Sequence, residues 1–355
     1  MTLGFCPAGN ASLRAGRHLS FVKNMTFYRN ILKQALSLTW RHKYLWFFGL
    51  FATLIGGGEY EVLTRGIGGD TAQNLFPNFS RLAETGIFSR NGLANMGQLF
   101  KDDPATAAIL TLVSLIILAL VIFLVWLMIV SQTALVNNSA EIISGKKELP
   151  SGVKRGVAAG VRYFWPVLGL NIIIKIIICL AFFIISLPVI FWATKLSSPT
   201  ISSLYIILFI ILVPVAIVLS FIIKYAICYV IIKGNNLMNA IKEGWQLFTK
   251  NWLISVEMAF ILFFISFLVG LAIILAVLIL IIPFLFLALL LYKAISFIGF
   301  WLIIIIGLIV LLAIIIGGGA ALTTFQITSW TGLFIELVSH GGTSKIERIV
   351  EGWKK

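Results

Sequence analysis

The chain has 355 residues, of which 60% are hydrophobic and only 11% charged, and its mean hydropathy is +1.05. Soluble domains carry about 25% charged residues, so this composition excludes a soluble globular protein, which could not cover its surface with polar groups. The formal charge of +14 comes without a nucleic-acid recognition motif and points to anionic lipid as the partner; Cys6, Cys179 and Cys228, with His18, His42 and His340, are too scattered for a disulfide framework or a zinc site, so no cofactor is expected.

Residues 1–24 contain Arg14, Arg17 and Lys23 but lack the apolar core of a signal peptide. They read either as a disordered tail or as residues ahead of a native start at Met25. From there, Tyr28, Leu32, Leu36 and Trp40 recur every four residues, and Arg29, Lys33, Ser37 and Arg41 follow one position behind. That period predicts an amphipathic helix.

A helix needs about 20 apolar residues to cross the roughly 30 Å hydrocarbon core. Residues 105–136, 164–193, 201–232 and 295–322 satisfy this directly. The stretch from Trp252 to Leu291 is too long for one ordinary span and contains Pro283, which removes a helix N–H. It reads as a span over 252–282 with Pro283–Tyr292 as a kinked extension or outer turn. The first apolar segment, 44–57, is short before Gly56-Gly57-Gly58, Glu59 and Glu61, and charge decides that it crosses. With six spans, nineteen Lys/Arg fall on one side and six on the other, and basic residues favour the cytoplasm. Trp40, Trp46, Trp165, Trp245, Trp252 and Trp330 fall near the inner boundaries and Trp192 near an outer one, where indoles prefer to sit. The expected fold is all-α, a polytopic membrane domain over 25–340. Its six transmembrane helices form three hairpins, each preceded by a cytoplasmic amphipathic helix, and both termini are cytoplasmic. Ser344-Lys345-Ile346-Glu347 has capping-box spacing and starts a short amphipathic tail within 343–355.

The lead-ins share a pattern. Ala35 and Thr39, Gly156 and Gly160, and Ala240 and Gly244 are small pairs four apart, each ahead of a tryptophan (Trp46, Trp165, Trp252). Such pairs let helices approach closely and suggest a threefold repeat. Before the third hairpin, Leu237, Ile241, Trp245 and Phe248 form the apolar stripe. These helices read as lying in the cytoplasmic leaflet, with packing on the protein itself as the plainer alternative. The Ala240–Trp252 segment and the hairpin it feeds resemble the repeated unit of uncharacterised six-span bacterial membrane proteins, including relatives of the membrane domain attached to some glycerophosphodiester phosphodiesterases. That resemblance implies a bacterial inner-membrane location and no enzyme activity, because the phosphodiesterase's catalytic domain is absent.

Charges inside spans are costly and mark sites by default. Lys175, Lys224 and Glu257 are such charges, with Asn171 and Tyr225 beside them. They outline a polar site on the cytoplasmic side, with Glu257 paired to Lys175 or Lys224; snorkelling lysines are the competing account. After Gly317-Gly318-Gly319, the run Thr323, Thr324, Gln326, Thr328 reads as the exit from the membrane, or else as the lining of an inner vestibule. The segment Gly58–Asp103, which mixes acidic residues with phenylalanines, is the one sizeable outer loop. No nucleophile, metal cluster or carboxylate pair is in view. The expected function is a non-enzymatic membrane protein that organises or senses lipid, with anionic headgroups as partners. The alternative is a transporter or permease subunit built on the polar site.

Overall fold

A computed structural model describes residues 27–53, 104–145, 152–193, 199–294 and 297–340. Among these residues there are nine helices: α1 (residues 27–41), α2 (Tyr44–Thr53), α3 (Pro104–Ile143), α4 (Gly152–Arg162), α5 (Phe164–Ala193), α6 (Pro199–Lys233), α7 (Leu237–Lys250), α8 (Trp252–Ala294) and α9 (Phe297–His340). The readings placed on residues 1–24, the Gly58–Asp103 loop and the tail 343–355 lie outside the described residues.

Four of these helices contain a segment long and apolar enough to cross a bilayer: Pro104–Ile143, Pro214–Lys233, Trp252–Tyr292 and Gly299–Ser339. A fifth arises if the bent pair Gly152–Arg162 and Phe164–Ile177, which turns by 67°, counts as one span. The chain is therefore a multi-pass helical membrane protein with four to five candidate spans. The difference from the expected six lies mainly in α2, whose ten described residues reach only about 15 Å, half the hydrocarbon thickness. Of the two readings of Pro283–Tyr292, an extension or an outer turn, the structure gives the extension. The helix passes through that proline and continues to Ala294, as membrane helices can when neighbours re-satisfy the freed carbonyl.

Three short helices each lead into an apolar helix across a one- or two-residue break: α1 into α2 at His42–Lys43, α4 into α5 at Tyr163, and α7 into α8 at Asn251. Two of them follow a helix closed by a left-handed glycine, Gly145 after α3 and Gly234 after α6, with φ of 73° and 72°. The Gly234 N–H donates to the Val230 carbonyl, which satisfies one orphan acceptor at the helix end. Each short helix then folds back on a membrane helix. A Cβ built on Gly160 of α4 would lie 2.8 Å from the Val130 carbonyl oxygen of α3, and one on Gly244 of α7 would lie 2.9 Å from the Ile222 carbonyl oxygen of α6. The first short helix packs on α9: Ile31 of α1 meets Gly332 of α9. The order of packing is cyclic, and α2 extends it by lying along α9.

This arrangement corrects the apolar stripes. In α1 the buried side is Tyr28, Ile31, Ala35, Leu38 and Thr39, so Tyr28 of the expected stripe is buried, while Leu36 and Trp40 are half exposed or more. In α7 it is Ala240, Gly244, Leu247 and Phe248, with Trp245 outward. The small residues sit at the closest approaches because only they let two backbones come together, while Leu36, Trp40 and Trp245 are turned aside.

The core gathers the C-terminal halves of α3, α6 and α9. Phe221, Tyr225 and Tyr229 of α6 interleave with Trp330 and Phe334 of α9, with ring centroids 4.8–6.4 Å apart. The N-terminal halves of α3 and α9 carry long exposed apolar runs, such as that of α3 from Ile109 to Phe123, which only lipid or another apolar partner can cover.

Candidate functional site

Three separate contacts gather polar residues of α1, α6, α8 and α9. Tyr28 of α1 donates its hydroxyl to Glu257 Oε2 of α8 at 2.6 Å. Lys224 of α6 holds its Nζ 4.6 Å above the Trp330 ring of α9, the geometry of a cation–π contact. Its neighbour Tyr225 is buried and shares a 2.7 Å hydrogen bond with Ser255 of α8. Lys224 and Tyr225 therefore join α6 to α8 and α9, two residues along α8 from Glu257. Asn171 belongs elsewhere: its Nδ2 donates to Gln132 Oε1 of α3 at 2.8 Å and to its own turn at Val167. Lys175, one turn beyond, is exposed on α5. The five residues named from sequence thus divide between an α6–α8–α9 cluster and an α3–α5 contact.

Tyr28, Gln132, Ser255 and Trp330 complete these contacts and were not singled out by sequence. Tyr28 stood in an apolar stripe and Trp330 at a boundary, roles that carry no hint of a polar partner. The polar run of α9 also takes a new role. It lies within a helix that continues to His340, and Thr324 and Thr328 are fully buried. Thr324 donates to the carbonyls of Leu45 and Ala320, Thr328 bonds Ser139 of α3 at 3.0 Å, and Gln326 donates to Ser266 of α8 at 2.7 Å. Thr323 bonds Thr53 of α2. These are interhelical hydrogen bonds of the kind that hold membrane helices together. Among the described residues, no three His, Cys, Asp or Glu side chains converge as metal ligands would.

The family of unknown function DUF7544 matches residues 40–331, which takes in the apolar elements from Trp46 through the α9 polar run. The chain belongs to this family. No curated protein and no solved structure matches it. The DUF7544 segment opens at Trp40, so it holds two of the three short helices whole, α4 and α7, and only the end of α1.

On the outside of those short helices, apolar and basic groups stand side by side. Met238, Lys242 and Trp245 of α7 are all exposed and lie on one side at helical spacing. Around α4, exposed Lys154, Arg155 and Arg162 flank Val153 and Val161, and Trp165 at the start of α5 is 77% exposed. Arg155 reaches Glu141 of α3 at 3.8 Å, a partly solvated pair of small energetic weight.

Proposed function

We propose that this protein organises or senses membrane lipid without catalysing a reaction. In this reading it spans the bacterial inner membrane six times, keeps both ends cytoplasmic, and binds anionic headgroups through its basic lead-in helices. One observation carries the reading: on α4 and α7 the small residues are spent on packing, which leaves tryptophan, methionine and basic side chains facing outward together. A tryptophan beside a lysine suits the headgroup layer, where the indole is buried and the ammonium stays wet. The six-span topology draws support from the nineteen-to-six split of basic residues and from α5, whose 30 helical residues are long enough to cross.

The test uses the full chain in phosphatidylcholine vesicles containing spin-labelled phosphatidylglycerol or spin-labelled phosphatidylcholine. A larger motionally restricted fraction for the anionic lipid is expected, and it should shrink with added salt. Replacing Lys154, Arg155, Arg162, Lys242 and Lys250 with glutamine should remove most of the difference, since each surface cation contributes about 1 kcal/mol. Equal restriction of both lipids by the unmodified protein would overturn the proposal, and solute flux through the same vesicles would favour a transporter.

A further inference from the structure

A groove of about 820 Å³ runs between α1, α8 and α9. We infer that it binds one anionic glycerophospholipid, with the phosphate between Arg29 and Lys33 and an acyl chain lying toward Gly317. The inference rests on the lipid reading above and assigns it a single discrete site.

The two ends of the groove differ. Arg29 and Lys33 stand one turn apart on α1 and line it, flanking Ile31, which meets Gly332. Gly317 lies fifteen residues back along α9, roughly 22 Å from that level. Tyr28, next to Arg29, bonds Glu257 near the start of α8, so α8 too places the cations at the inner, tryptophan-marked end. The groove therefore begins with positive charge at the headgroup level and continues into the hydrocarbon. Arg29 and Lys33 are exposed, and among the described residues no carboxylate pairs with either. A guanidinium and an ammonium one turn apart suit a phosphate.

Beyond the cations the walls offer nothing to a polar solute. The Thr39 hydroxyl is already bonded to the Ala35 carbonyl, and the Trp46 indole N–H to the Thr39 carbonyl, each at 2.8 Å. What remains is aliphatic and aromatic surface from Leu36, Ile265, Val269 and Phe325. Glycine shapes the far end. A Cβ on Gly317 would meet nothing within 4 Å, so the groove is open there because no side chain fills it. The volume lies within the range of small-molecule sites, roughly 300–1,000 Å³. A water-soluble anion would gain only the mouth; a lipid matches mouth and walls together.

The experiment compares wild type with Gly317→Phe, Gly319→Phe and the double variant Arg29→Gln/Lys33→Gln, each as the full chain purified in detergent. Each is offered an equimolar mixture of dioleoyl phosphatidylglycerol and dioleoyl phosphatidylcholine, and retained lipid is counted by native mass spectrometry. Wild type should retain one phosphatidylglycerol. Gly317→Phe should lose it by plugging the groove. Gly319→Phe should keep it, because a Cβ there also meets nothing within 4 Å and the position does not line the groove. The double glutamine variant should keep a lipid but lose headgroup preference, by about fivefold for each cation, the equivalent of about 1 kcal/mol. Unchanged retention in Gly317→Phe overturns the site while leaving vesicle-level selectivity by α4 and α7 standing. Retention without headgroup preference in wild type overturns the anionic assignment. A wild type that retains no lipid but cross-links to a second copy through a cysteine at Leu36 gives the groove to a protein partner and overturns the proposal.

Discussion

Glu257 lies five residues past Trp252, roughly 8 Å into α8, and the Tyr28 hydroxyl reaches it from another helix. Interhelical hydrogen bonds in membranes average about 0.6 kcal/mol and reach about 1.7, and a charged acceptor belongs toward the upper end. A double-mutant cycle of Tyr28→Phe and Glu257→Gln, read by unfolding in detergent, should give a coupling of about 1 kcal/mol; zero would make the contact incidental. In the same assay Glu257→Gln should couple more strongly to Lys224→Met, within the α6–α8–α9 cluster, than to Lys175→Met on exposed α5. The reverse order would move the charged site to α5. Charge alone made these residues conspicuous in the sequence. Their partners were hidden because a phenol, an indole or a serine in an apolar segment looks the same whether or not it bonds across helices.

At the level of elements, the short helices and their positions were legible, since a 3.6-residue period is a local signal. Which side faces the protein was legible in the small pairs four apart, whose members Ala35, Thr39, Gly156, Gly160, Ala240 and Gly244 are all buried, and not in the apolar stripes, because hydrophobicity ranks leucine and tryptophan above glycine, whereas close approach of backbones ranks them the other way. Gly244→Leu should therefore destabilise the protein by about 1–3 kcal/mol through overpacking against the Ile222 carbonyl, seen as a lower melting temperature in detergent. Gly317→Ala, with open space around its Cβ, should be neutral or stabilise by up to about 1 kcal/mol through helix propensity. Equal losses from both would refute the distinction. Spin labels at Lys33 and Lys242 should be accessible to water-soluble relaxant, and labels at half-buried Leu32 and Ile241 shielded; equal accessibility would remove the interfacial placement.

For the whole molecule, composition settled the class, and apolar length located the long helices. Reporters active only in the cytoplasm should work when fused at Lys147, Asn236 or Val350 and fail at Leu75 or Ser197; activity at either of the last two would sink the six-span topology. The cyclic packing was beyond sequence patterns, because it joins Ile31 to Gly332 across almost the whole chain, and no local period records so distant a contact. It also has a consequence for biosynthesis. The roughly three hundred residues between these two take about 15–60 s to translate at about 5–20 residues per second. During that interval α1 and α2 have been made and can meet α3, but α9, which completes their packing, has not. α1 must wait with Ile31 and Ala35 uncovered, and Gly49 of α2 must wait for the Ala320 carbonyl and the Thr324 hydroxyl that will crowd it. Ribosomes stalled before α9 should thus hold nascent chains whose first short helix is open to protease, and release of the finished chain should close it.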